Sequence, residues 1–131
     1  TELATGTLIV NGLTDEYYYV TDTTGNALNY QTLNKPLAFF PGELDIKVNN
    51  TIMKGKVSAG HTTEFMTGSV MLTGGGTGYY YVLDQGGNQL NYNWLNKSLS
   101  FFPSEYTIKL GSSTRKATVT AGQLTSLDAF N

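Results

Sequence analysis

The sequence predicts an all-β chain: two tandem, similar antiparallel β-sandwiches of about six or seven strands each. Three observations predict it. Residues 6–65 align with residues 68–127 without a gap, at an offset of 62, and 27 of the 60 paired positions are identical. A fixed period of this kind is an internal duplication. Short alternating or apolar runs are broken by Gly, Asn or Pro roughly every eight to twelve residues, the rhythm of a sandwich or barrel. Helical periodicity is nearly absent.

The strands follow in order. In the first copy "TLIV" (7–10) reads as an opening strand and "EYYYVTD" (16–22) as the second. "TTGN" (23–26) supplies a hairpin turn, because Gly25 and Asn26 tolerate positive φ, and "ALNY" continues the hairpin. "PLAFF" (36–40) is a short strand stopped by Pro41, which has no N–H for a ladder. In "ELDIKV", Leu44, Ile46 and Val48 share one face while Asp45 and Lys47 share the other. The second copy keeps the plan as Tyr106, Ile108 and Leu110 against Thr107 and Lys109. "MKGKVSA" alternates again, with Met53, Gly55, Val57 and Ala59 inward, matched by Ala117, Val119 and Ala121. Arg115 stands where the first copy has Met53, and is expected at a strand end with its guanidinium in water. Gly60 and Gly122 then turn the chain into a last strand.

A unit of about 60 residues buries too little surface to be comfortable alone. The 131-residue chain has no cysteine, so disulfides give no help. The copies are therefore expected to lean on each other. The join "HTTEFMTGSVMLTG" carries no Pro-rich or charged linker, which places the units at 1–66 and 67–131 as a closely packed pair. Charged residues make up 14% and the net charge is −2. That argues against nucleic acid, which needs a basic footprint, and against a polybasic membrane anchor. No apolar run approaches the ~20 residues of a membrane helix, so no membrane insertion is expected. The chain begins at Thr1 without a methionine, which fits a processed or trimmed product belonging to a longer chain. Abundant Thr, Asn, Gly and Tyr with few charges suit an exported, extracytoplasmic protein: periplasmic, surface-bound or secreted. Residues 49–51 and 96–98 fit the glycosylation sequon, a triplet common by chance.

The segments "FFPGELDIKV" and "FFPSEYTIKL", with the endings "VSAGHTTEF" and "VTAGQLTSL" and the opening "GTLIV", resemble small bacterial prealbumin-like and Ig-like sandwiches. PEGA-type and carboxypeptidase regulatory-like domains are among these. The resemblance covers nearly all of each copy, although the literal Pro-Glu-Gly-Ala motif is missing and Ser104 replaces the turn glycine, Gly42. It implies an exported spacer, anchoring or glycan-contacting module and no catalyst; fold alone does not choose among these roles.

Few residues suit chemistry. His61 is the only histidine, its counterpart is Gln123, and it follows Gly60 in a turn. With no cysteine and no second histidine it makes neither a metal set nor a held catalytic base. Asp22/Asp84 and Glu43/Glu105 recur in both copies, and an Asp before a Gly-containing turn ordinarily hydrogen-bonds that turn. Calcium at Asp22 or Asp84 is the alternative, without a dense acidic loop to favour it. Lys47, Lys109, Asn34 and Asn96 raise the question of a Lys–Asn crosslink, but strand phase puts both lysines in solvent. "TGGGTG" (73–78) lacks the lysine of a phosphate loop and precedes no helix. No cofactor, metal or catalytic residue is expected.

The aromatics are more informative. "EYYYV" and "GYYYV" send alternate tyrosines to opposite faces, so at least one ring per copy points outward. Tyr30 and Tyr92 follow, and the second copy adds the only tryptophan, Trp94, where the first has Thr32. Aromatic faces flanked by amides suit sugars, whose C–H faces stack on rings while their hydroxyls bond the amides. The candidate ligand-binding set is Trp94, Tyr92, Tyr80, Asn91 and Asn93. The competing account is that tyrosine belongs in sheets and fills contacts between the copies. The leading expectation is a non-enzymatic structural or adhesion module whose partner is a protein; the alternative is a carbohydrate-binding module for a cell-surface polysaccharide.

Overall fold

The computed structural model describes residues 4–75 and 78–128, and among these it contains fourteen strands and no helix. The first repeat holds β1 (Gly6–Asn11), β2 (Tyr17–Thr21), β3 (Ala27–Thr32), β4 (Pro36–Phe39), β5 (Gly42–Val48), β6 (Thr51–Val57) and β7 (Thr62–Met66). The second repeats the plan as β8 (Gly68–Thr73), β9 (Tyr79–Leu83), β10 (Gln89–Trp94), β11 (Ser98–Phe101), β12 (Ser104–Leu110), β13 (Ser113–Val119) and β14 (Leu124–Asp128). Each set of seven makes a sandwich. Sheet β4-β1-β7 faces sheet β3-β2-β5-β6, and β11-β8-β14 faces β10-β9-β12-β13.

Every strand pair is antiparallel except one per repeat. The chain leaves β6 for the opposite sheet through the Gly60 turn (φ 74°) and lands beside β1 running the same way, so Thr7 pairs with Thr62 and Asn11 with Met66. β14 meets β8 identically. The antiparallel expectation therefore needs this correction, and the change of sheet is its cause.

The period-two pattern fixes the two cores. Leu44, Ile46 and Val48 of β5 are buried with Leu8, Val10, Tyr18, Val20 and Val57. Val70, Leu72, Tyr80, Val82, Tyr106, Ile108 and Val119 do the same in the second repeat. Alternation ends one step early in β6 and β13: Ala59 and Ala121, expected inward, lie exposed in the turns. Arg115 lies exposed within β13 rather than at its end.

Tyr18 and its counterpart Tyr80 cross each sandwich. Tyr18 Oη donates to Lys35 O (2.5 Å) and Leu8 O (3.4 Å), and Tyr80 Oη to Lys97 O (2.5 Å) and Val70 O (3.3 Å). Each ring thus fills the core while its one polar atom is satisfied, as a buried hydroxyl requires. Burial pushes the Tyr18 hydroxyl up to about 12 and raises Tyr80 as well, with the charge of Glu16 adding to the latter. Among the described residues no buried side-chain nitrogen or oxygen lacks a partner.

Candidate functional site

The outer face of each four-stranded sheet carries a run of exposed rings. In the second repeat, cross-strand pairing sets Trp94 opposite Tyr79 and Tyr92 opposite Tyr81. Trp94 stacks on Tyr79 with centroids 3.8 Å apart and planes 29° apart; Tyr92 stands edge-on to Tyr79 at 5.4 Å and tilted to Tyr81 at 5.7 Å. Trp94 and Tyr92 remain 48% and 50% exposed. The first repeat has a smaller version, in which Tyr30 touches Tyr17 (5.7 Å) and Tyr19 (5.8 Å), and Thr32 takes the tryptophan's place.

Tyr80 does not belong to this face. It is fully buried, so its place is taken by Tyr79, one residue earlier and on the opposite side of the strand. The signal was present in the sequence: Tyr80 shares its parity with Val82, and the apolar residue marks the inward side. Asn93 sits between the rings in sequence but turns away, donating Nδ2 to Ser98 O (3.2 Å). Asn91 donates Nδ2 to Asn49 Oδ1 of the first repeat (2.7 Å). Of the five residues singled out, two form the exposed face, two serve the second repeat's own packing and one joins the repeats.

That join is an elaborate polar site. The Glu16 carboxylate, at the end of the β1–β2 loop, accepts the Ser100 backbone N–H (2.7 Å), the Thr14 hydroxyl (2.8 Å) and Asn49 Nδ2 (2.5 Å). Asn49 Nδ2 also donates to Ser100 O (2.9 Å), while Thr14 Oγ1 and Ser100 Oγ share a bond of 2.8 Å. Asn50 Nδ2 donates to Leu90 O (2.6 Å), and Thr67 N and Oγ1 both donate to Asn11 O (2.8 Å each). β11 is an edge strand of its sheet, so its outward N–H and C=O at Ser100 would otherwise be left for water or for another chain.

An apolar plug completes the site. Phe102 is 4% exposed and belongs to the core cluster of the first repeat, standing edge-on to Phe65 at 6.2 Å. Thr51 Oγ1 accepts its backbone N–H at 3.4 Å, and its carbonyl accepts the Tyr106 hydroxyl. Burial raises that hydroxyl to about 12, partly offset by its bond to Thr51. Gly12 makes the close approach possible: a Cβ there would stand 2.4 Å from Thr67 Oγ1 and 2.8 Å from Leu33 Cδ1. Beside the join, an open cleft of about 420 Å³ is lined by Tyr19, Thr21, Ala27, Lys47, Asn49, Asn50 and Asn91.

The remaining candidates take structural places. Asp22 Oδ1 accepts Thr24 N (2.9 Å), Thr24 Oγ1 (2.7 Å) and Asn26 N (2.9 Å), and Oδ2 accepts Asn26 Nδ2 (3.0 Å). These bonds, led by Thr24's hydroxyl, hold its pKa at about 2. Asp84 is lowered in the same way, chiefly by Asn88. His61 is an exposed turn residue whose backbone N–H donates to Ser58 O. Asn34, at φ 75°, accepts Gly12 N–H and donates to Gly12 O, and Asn96 clamps Gly74 likewise. Lys47 stands on the outer sheet face opposite Tyr19. Of the glycine run 73–78, Gly76 and Thr77 lie outside the described residues; the rest connects β8 to β9. Among the described residues no three His, Asp or Glu side chains gather as a metal site, and no helix is long and apolar enough to cross a membrane.

These features define a class: a tandem pair of seven-stranded β-sandwiches joined by a polar and aromatic lock. No protein-family profile matches the chain, and no curated protein matches it. Among solved structures it is similar to the Bacillus anthracis TIE protein, at 12% identity over 96% of this chain and 34% of that one, with a TM-score of 0.45. The chain thus spans about a third of that structure's length. It is also similar to a protein described as a candidate cell adhesion protein of Bacteroides thetaiotaomicron (10% identity, 98% and 93% coverage, TM-score 0.37). A third is the minor pilin of Streptococcus agalactiae (7% identity, 96% and 94% coverage, TM-score 0.37). At these values the fold rests on the strand pairing itself, and none of the three bears on what this chain does.

Proposed function

We propose that the chain is a non-enzymatic structural or adhesion module of an exported bacterial protein, in which the units 1–66 and 67–131 form one stiff body. The observation that carries this is the lock at Glu16, Asn49, Ser100 and Phe102. A pair of domains on a free hinge has no use for a shared carboxylate and a ring buried in its neighbour's core. Two bonded sandwiches set a fixed length and hold their outer faces at a fixed angle, which is what a spacer or a presenting stalk requires. Its partner is a protein met through the exposed ring face. Small-angle scattering of the chain tests the stiffness. A profile described by one arrangement of the two sandwiches supports the reading, and a profile that needs a broad family of arrangements overturns it.

A second reading, a carbohydrate-binding module, is favoured by one specific observation. Trp94, Tyr92 and Tyr79 are exposed together, and Asn91, the residue before Tyr92, lines an open cleft with the amides of Asn49 and Asn50. The rings are stacked and tilted rather than laid side by side, so they form a ridge and not a flat platform. A ridge suits a single chain of sugars passing over it better than a crystalline surface. Trp94 emission and acrylamide quenching with a panel of soluble polysaccharides decides this: protection by one glycan supports it, and indifference to all of them removes it.

A further inference from the structure

The face of the second repeat that docks on the first has an uncovered twin. At the offset of 62, Phe102 corresponds to Phe40, Ser100 to Ala38, Asn91 to Asn29, Leu90 to Leu28 and Thr67 to Thr5. In the second repeat these residues make the lock. In the first, Phe40 is 61% exposed and Leu28 48%, and Ala38 and Asn29 are open too. Thr5, Leu28, Asn29, Ala38 and Phe40 line a shallow cleft of about 510 Å³. β4, like β11, is an edge strand of its sheet, so the backbone groups of Ala38 stand where those of Ser100 receive Glu16 and Asn49.

A second feature is independent of this face. Residues 1–6, "TELATG", repeat residues 63–68, "TEFMTG", with four of six positions identical. In the latter phrase the first four residues close β7 of one repeat and the last two lead into β8 of the next. Residues 1–3 lie outside the described residues, so the likeness is one of sequence alone.

We propose that the Phe40 face is the docking surface for another sandwich repeat, joined ahead of the first as the first is joined ahead of the second. Its occupant carries the receiving set of the first repeat: an acid at the place of Glu16, two amides at the places of Asn49 and Asn50, and an apolar pocket for Phe40. A second copy of this chain does not fit that description. The second repeat has Gly78, Gly111 and Ser112 where the first has Glu16, Asn49 and Asn50, so at those three places it offers neither the carboxylate nor the two amides. The pair has a receiving end that is filled and a donating end that is open, which gives the array a direction. An exposed apolar patch such as Phe40 with Leu28, rimmed by polar residues, marks an interaction site.

The test adds a copy of residues 5–66 directly ahead of Thr5 in the existing chain, recreating the Met66–Thr67 join. Phe40→Trp in the original first repeat, with Trp94→Phe to remove the background, reports on the face. In the 131-residue chain this tryptophan is expected to emit red and be readily quenched by acrylamide. In the three-sandwich chain it shifts to the blue and quenching falls several-fold, following the drop from 61% to 4% exposure between Phe40 and Phe102. Replacing Glu16, Asn49 and Asn50 of the added copy by Gly, Gly and Ser, the residues a sandwich already carries at 78, 111 and 112, restores quenching. Unchanged quenching in the three-sandwich chain overturns the proposal, and so does protection that survives the triple replacement. Concentration-dependent dimerisation of the 131-residue chain that shields Phe40→Trp would give the face to a second copy and overturn it as well.

Discussion

Phe40 and Phe102 occupy the same place in the same phrase, Phe-Phe-Pro, yet one lies in solvent and the other in a neighbour's core. Their immediate neighbours, Phe39 and Pro41 against Phe101 and Pro103, are identical. The difference comes from what stands opposite. The first repeat offers Glu16, Asn49, Asn50 and Phe65 to the second, and the second has Gly78, Gly111, Ser112 and Leu127 at those positions. The two sandwiches thus share their interiors and differ at their ends, the first repeat's end receiving and the second's inserting. The same divergence marks the outer face, where Trp94 stands at the place of Thr32 and the three-tyrosine cluster of the first repeat is matched by a four-ring ridge.

The sharpest test of this contrast is truncation of the two phenylalanines. Phe102→Ala is expected to cost about 3–5 kcal/mol of unfolding free energy, the range for a buried phenylalanine. Phe40→Ala should stay within about 0.5 kcal/mol, as for an exposed side chain. Both are read from denaturant unfolding, and equal losses would erase the distinction. Glu16→Ala comes next. It strips acceptors from Ser100 N–H and Asn49 Nδ2 and should cost about 1–3 kcal/mol, the penalty for orphaned polar groups. Trp94→Thr, the first repeat's own residue, removes a stacked pair and should cost about 0.5–1.5 kcal/mol in thermal unfolding.

The smallest effect concerns acid. Asp22 has a folded pKa of about 2 against an ordinary value of 3.8. Its contribution is therefore complete above about pH 4 and is lost as pH falls towards 2. Asp22→Asn should flatten that part of the stability–pH curve. Asp84→Asn should do less, because Gly86 replaces Thr24 and the hydroxyl bond to the carboxylate is gone. Equal slopes for the two variants would break this part of the comparison.

Much of the fold was legible in the sequence because its determinants are local. The offset of 62 showed the duplication, the alternation in "ELDIKV" fixed the inner face of β5, and Asp22 before Thr24-Gly25-Asn26 specified the turn. The site was less legible. Three tyrosines in a row have no parity of their own, and Tyr80, a candidate for the ligand-binding set, shares its parity with Val82 and lies inside. Asn91 looked like a sugar-binding amide and proved to bond Asn49 across the join. Phe102 could not be told from Phe40 because burial by another domain leaves no mark on the buried residue. The mark was on the opposite surface, at Glu16 and Asn49, positions where the copies differ. Trp94 in place of Thr32 is one such difference between the copies, and Glu16, Asn49 and Asn50 against Gly78, Gly111 and Ser112 are the differences that mark the lock.

The central claim is that the two sandwiches are held as one body by that lock. The chain has no native cysteine, so a spin label on each repeat, at Thr23→Cys and Ser112→Cys, reports one distance without interference. Pulsed dipolar spectroscopy on the doubly labelled chain is expected to give one narrow distance distribution, and a broad one once Phe102→Ala and Glu16→Ala are combined. A broad distribution in the chain with its lock intact would contradict the account.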